Sequence, residues 1–124
     1  MSPASIPIQG TFDAAVARNV LRKEVSEHNW VPAFRVRASA ALTALTETIL
    51  LSQTSAVLTI KTVERGGSLG VQLICDVNWH AAREVWLEQT RLRLTRAADD
   101  LRISEQNGSI RIEAWVWPSA SDGQ

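Results

Sequence analysis

The run Ser55-Ala-Val-Leu-Thr-Ile-Lys-Thr-Val63, the turn Glu64-Arg-Gly-Gly-Ser-Leu-Gly70 and the run Val71-Gln-Leu-Ile-Cys-Asp76 decide how this chain is read. Both runs are rich in β-branched and apolar residues, and the Gly66-Gly67 pair supplies the backbone freedom of a tight hairpin turn. Together they predict a strand pair over about 55–64 and 69–77, ending on the lone carboxylate Asp76. From Val71 to Asn107 there is no glycine, so nothing there cheaply lets a backbone wrap a phosphate.

Working outward, Pro32 pushes Val31 out of helical geometry and marks the start of a helix over about 33–52. Phe34, Ala38, Ala41, Leu42, Leu45 and Ile49 recur on one face of it, the pattern of a core helix. Upstream, a helix is expected over about 12–28, with Thr11 as N-cap and Asp13 favouring its dipole. Its apolar stripe reads as Ala15, Val16, Asn19 and Val20; Arg18, Arg22, Lys23, Glu24 and Glu27 form a solvated face. Ile6-Pro-Ile-Gln is a short edge strand, where the N–H that Pro7 lacks would face solvent.

Downstream, a third helix is expected over about 80–100, with Val85, Trp86, Leu94, Ala97 and Leu101 apolar among Arg and Glu. Leu101-Arg-Ile-Ser-Glu-Gln is a strand, Asn107-Gly108 is a strong hairpin signal, and the last strand runs from Ser109 to Trp117. The order β-α-α-β-β-α-β-β implies an α+β two-layer sandwich: a mostly antiparallel mixed sheet with helices on one face. One domain is expected over 1–124, with a folded core of about 6–117 and a polar tail over 118–124.

Composition narrows the function classes. Hydrophobic residues make up 45% of the 124 and charged residues 21%, an ordinary globular balance. Thirteen basic residues offset thirteen acidic ones, which disfavours a general electrostatic grip on nucleic acid or an anionic membrane. No apolar run approaches the length of a membrane span, and the N-terminus lacks the basic and apolar regions of a signal peptide, so a cytoplasmic location is expected. Cys75 is the single cysteine, and His28 and His80 are the only histidines; neither an intrachain disulfide nor a metal site is expected. No Ser sits in a nucleophile-elbow pattern.

Three stretches carry a family resemblance: Leu94-Thr-Arg-Ala-Ala-Asp-Asp-Leu-Arg-Ile-Ser-Glu-Gln-Asn-Gly-Ser-Ile-Arg-Ile-Glu-Ala-Trp, Arg37-Ala-Ser-Ala-Ala-Leu-Thr-Ala-Leu-Thr-Glu-Thr-Ile-Leu-Leu, and the strand pair leading into Asp76. In this order they resemble the anti-sigma and switch-protein serine kinases of the RsbT/RsbW type, within the GHKL (gyrase, histidine kinase, MutL) ATPase superfamily. The likeness spans about Ala17 to Trp117. It implies a histidine-kinase-like ATPase fold and a role in bacterial sigma-factor regulation and stress response.

The chemistry of that family rests on three places. Its N box puts Glu and Asn four residues apart on one helix face, the Glu to prepare the nucleophile and the Asn to hold Mg²⁺. Here those positions are Ala44 and Thr48; alanine cannot be a base, and Glu47 lies three residues beyond it. A D-x-G-x-G turn receives adenine; Asp76 matches its Asp, while Asn78 and His80 replace the glycines around Trp79. Asp76 reads equally as a strand-end carboxylate capping the next turn or helix. A Gly-rich lid covers the triphosphate; the equivalent Glu84 to Arg93 holds strong helix formers without Gly or Pro. Arg91, Arg93 and Arg96 there read as an exposed basic helix face. By resemblance, Asp76, Asn78 and Thr48 are the candidate nucleotide-binding residues, no residue is assigned a catalytic role, and Mg·ATP turnover is not expected.

Five tryptophans and no tyrosine are unusual for this length. Trp115 and Trp117 alternate with Ala114 and Val116, so both rings leave one face of the last strand; Ile110 and Ile112 mark the other face as core. The rings form a candidate partner or homodimer surface. Trp79 and Trp86 are placed to plug the space adenine would fill. The expectation is a degenerate anti-sigma/switch-kinase-like pseudokinase that acts by binding a protein. By resemblance the partner is a sulfate-transporter/anti-sigma-antagonist (STAS) type protein, a sigma factor or a downstream phosphatase. A functional ATP-dependent serine kinase and an unrelated α+β homodimer are the alternatives.

Overall fold

The computed structural model describes residues 4–28, 30–52, 56–78, 83–106 and 108–118. The elements run β1 (Ala4–Ile8), α1 (Thr11–Glu27), α2 (Pro32–Ser52), β2 (Ala56–Arg65), β3 (Ser68–Asn78), α3 (Arg83–Ala97), β4 (Asp100–Gln106) and β5 (Ser109–Val116), in the order expected from the sequence. The five strands lie in the order β1-β2-β3-β5-β4, and every neighbouring pair is antiparallel.

Both glycine turns form as the sequence implies. Arg65 pairs with Ser68 across Gly66 and Gly67, whose φ values of 56° and 82° are the left-handed geometry of a two-residue hairpin. Gly108, at φ 81°, closes the β4–β5 hairpin, where Gln106 pairs with Ser109. Strand alternation then sorts the two faces of the sheet. Leu58, Ile60, Val71, Leu73, Cys75, Val77, Ile110, Ile112, Ala114 and Val116 are buried toward the helices. Thr59, Lys61, Ile74, Asp76, Arg111, Glu113 and Trp115 lie on the opposite, helix-free face.

α2 presents its expected face in full: Phe34, Ala38, Ala41, Leu42, Leu45 and Ile49 are all completely buried. Fully burying side chains of this kind contributes about 1.5–3 kcal/mol for each large one, which makes α2 the keel of the core. α1 departs from the expected stripe. Its buried residues are Ala14, Ala17, Leu21 and Val25, with Val16 and Val20 only flanking the core. The start of the helix differs too: Gly10, not Thr11, is the N-cap, and the Asp13 carboxylate accepts the backbone N–H groups of Gln9 (2.9 Å) and Gly10 (3.2 Å). Glu24 is not wet either; it sits half-buried between His28 (3.9 Å) and Thr62 (3.4 Å).

α3 ends at Ala97 rather than near Asp100. Ala98 N–H makes the last helical bond to Leu94, and Asp99 N–H already donates to the Trp115 carbonyl at 2.8 Å, so β4 begins.

Candidate functional site

Thr48 lies on α2, 2% exposed, and its hydroxyl donates to the Ala44 carbonyl of its own helix at 2.8 Å. Its carbonyl accepts the Trp86 indole N–H at 3.0 Å, which staples α3 to α2. Thr90, one turn further along α3, donates its hydroxyl to the Trp86 carbonyl at 2.7 Å. Trp86 is buried, and the space left among Thr48, Trp86, Gln89, Thr90 and Arg93 is about 10 Å³. That is room for one water at most, against the several hundred Å³ of an ordinary ligand pocket. α3 is helical from Arg83 to Ala97 and so takes in the whole of Glu84 to Arg93.

Asp76 occupies the other side of the sheet. Its neighbours Cys75 and Val77 face the helices, so its carboxylate points away from them and accepts a side-on pair of hydrogen bonds from its cross-strand partner Arg111, at 2.8 and 3.2 Å. The hydrogen bond to Asp76, then its charge, holds the Arg111 guanidinium above its usual pKa. Thr48 and Asp76 are therefore not brought together: the sheet stands between them. The Asn78 backbone pairs with Ser109 at the end of β3. Its side chain lies outside the described residues, as do Trp79 and His80. Among the described residues no cluster of three or more His, Cys, Asp or Glu could hold a metal ion. Cys75 is buried, and desolvation, with Asp76 adding a smaller repulsion, pushes its thiol far above the usual range.

Trp115 and Trp117 meet different neighbours. Trp115 is half-buried on the helix-free face, with the Arg102 guanidinium 5.8 Å from the ring centroid. Trp117 is only 9% exposed, because the sheet closes around it. Its N–H donates to the Asp99 carboxylate (2.6 Å), its carbonyl accepts from Arg37 (3.0 Å) and its indole N–H donates to Asp100 (3.1 Å). Arg65 stacks over the ring at 4.1 Å, and Gly70 lies beneath it. Arg37 also grips Asp99 with one nitrogen, at 2.8 and 2.7 Å to its two oxygens. Glycine inside a strand signals such a close approach, so Gly70 was the legible clue to this seat.

A second feature escapes the charge pattern. α1 and α2 enclose an open groove of about 260 Å³. Leu21 and Val25 floor it, Val36 stands beside it at 67% exposure, and Arg18, Arg22 and Arg35 line it.

These elements define a two-layer α+β sandwich, an antiparallel five-stranded sheet with its helices on one face. The structure is similar to the crystal structure of the RsbU and RsbW domains of Rv1364c from Mycobacterium tuberculosis, with a TM-score of 0.70 at 12% identity. The match covers 97% of this chain and 34% of that one. At that identity the likeness is one of fold. No family model and no curated protein matches the sequence.

Proposed function

We propose that this chain is a regulatory protein that works by binding another protein in a sigma-factor partner-switching pathway, without turning over ATP. The observation that carries the reading is Trp86: its indole is hydrogen-bonded to Thr48 and leaves about 10 Å³ where helix α3 meets the N-box-like helix α2. Three further features support it. Alanine stands at the position of the general base, the lid-equivalent segment is helical, and Asp76 is committed to Arg111 on the far face of the sheet. A nucleotide would have to find its metal, its adenine contact and its phosphate donors elsewhere. The fold shared with an RsbW domain is what points to a STAS-type antagonist, a sigma factor or a downstream phosphatase as partner.

The test is a thermal melt with and without millimolar Mg·ATP, beside a binding titration against a STAS-domain protein and a sigma factor. Saturating a ligand site to about 100 times its Kd adds about 2.7 kcal/mol, a shift of several degrees. The expected result is no nucleotide shift and saturable binding of one protein. A saturable nucleotide shift accompanied by phosphorylation of a partner serine overturns the reading in favour of a working kinase.

A further inference from the structure

We propose that the groove between α1 and α2 is a docking surface for an acidic amphipathic helix of a partner protein. The inference rests on the protein-binding reading above and adds to it a place and a chemistry.

Arg18 and Arg22 are one helical turn apart on α1, and Arg35 faces them from α2. The Arg35 Nε–H donates to the Trp30 carbonyl at 2.9 Å, which holds that guanidinium at the groove. Among the described residues the ion pairs involve Arg37, Arg65, Arg111 and His28, and none of the three groove arginines. Among the described residues no carboxylate lines the groove, and Glu24, the nearest acid in sequence to Arg22 on α1, is turned toward Thr62 and His28. A chain with no net charge has here concentrated three unpaired cations around an apolar floor.

Fixed cations around exposed Val36 and the Leu21–Val25 floor ask for an occupant of the complementary pattern. It needs apolar side chains to cover the floor and carboxylates beside them to meet the guanidiniums. An amphipathic helix with Leu or Ile at i, i+4 and i+7, flanked by Glu or Asp, supplies both at the spacing of the groove's own helices. Arginine suits the role because its planar fork takes a carboxylate with two hydrogen bonds. Groove-to-groove docking of a second copy is a poorer fit, since it would bring like charge together.

The probe is a labelled, stapled amphipathic peptide bearing glutamates, with a twin in which every Glu is Lys. The expected result is saturable binding of the acidic peptide, at least about tenfold weaker binding of the twin, and a further loss as salt rises. Arg22→Glu and Val36→Asp should each weaken the acidic peptide by about tenfold, the size of one lost rim contact of about 1.4 kcal/mol. Both positions are exposed, so both variants should melt with the wild type. Equal binding of the twin, no effect of either variant, or equally Arg22-dependent capture of an oligonucleotide or an anionic vesicle overturns the proposal. If the STAS-domain protein or sigma factor binds and neither variant weakens it, the groove proposal falls while the binding-module reading stands. If no such protein binds but the acidic peptide docks as expected, the groove stands and the pathway assignment falls.

Discussion

Replacing Gly70 by alanine isolates the seat of Trp117. A Cβ at that position would lie 2.5 Å from Trp117 Cε3, 2.7 Å from the Val116 carbonyl oxygen and 3.0 Å from Trp117 Cζ3. Neither neighbour yields easily. The oxygen belongs to a strand paired with β3, and the indole is tethered to Asp100 below the Arg65 guanidinium. Overpacking of this kind costs about 1–3 kcal/mol, and with two hard contacts the upper half of that range is expected. For a chain of this length that lowers Tm by roughly 6–12 °C. Urea denaturation followed by circular dichroism gives the free energy directly, and a cycle with Trp117→Ala apportions it. Without the indole, only the Val116 contact remains, so the Gly70→Ala penalty should shrink by at least about 0.5 kcal/mol. An alanine variant as stable as the wild type, or one with the same penalty in both backgrounds, refutes the reasoning.

Three other outcomes follow from the same geometry. Asp99→Ala removes the acceptor of the Trp117 N–H and the partner of Arg37, so about 1.5–3 kcal/mol should be lost in a urea titration. Asp76→Asn and Arg111→Ala break an exposed pair, and each should change stability by less than about 1 kcal/mol. The buried Cys75 thiol stays protonated in the folded chain while the unfolded thiol ionises near pH 8.5. Its contribution is therefore intact at neutral pH and declines above that value, by about 1.4 kcal/mol for each pH unit. Denaturation midpoints of wild type and Cys75→Ala, compared between pH 8 and 10, should diverge with the wild type falling faster.

Much of the architecture could be read because local signals agreed with one another. The Gly66-Gly67 and Asn107-Gly108 pairs fixed two hairpins, and the α2 stripe named six fully buried residues. The α1 stripe was misplaced because two neighbouring diagonals of that helix carry small or apolar residues, Ala15, Val16 and Val20 on one and Ala14, Ala17, Leu21 and Val25 on the other, and packing against the sheet and α2 chose the second. Thr11 has the better capping side chain, but Asp13 reaching back to Gly10 satisfies more backbone donors and starts the helix one residue earlier. The end of α3 was overrun because Leu101 continues the helical spacing of Leu94 and Ala97, whereas Asp99 and Asp100 are taken up by partners far along the chain, Arg37, Arg65 and Trp117. No window of sequence contains those partners together. Site geometry was less legible still. Which face Asp76 takes depends on strand register, and a one-residue slip would have sent it into the helical layer. The basic residues of α1 read correctly as exposed, but their grouping with Arg35 depends on how two helices lie side by side.

The strand order β1-β2-β3-β5-β4 has a kinetic corollary. β2 with β3, and β4 with β5, can zip through short turns, whereas β1 must find β2 across the whole of α1 and α2, bringing Ala4 beside Ile60. That closure costs chain entropy before any ladder bond repays it, so β1 should join a sheet already assembled and leave it first. Amide exchange should register this as early deuteration of residues 4–8 while the two hairpins stay protected.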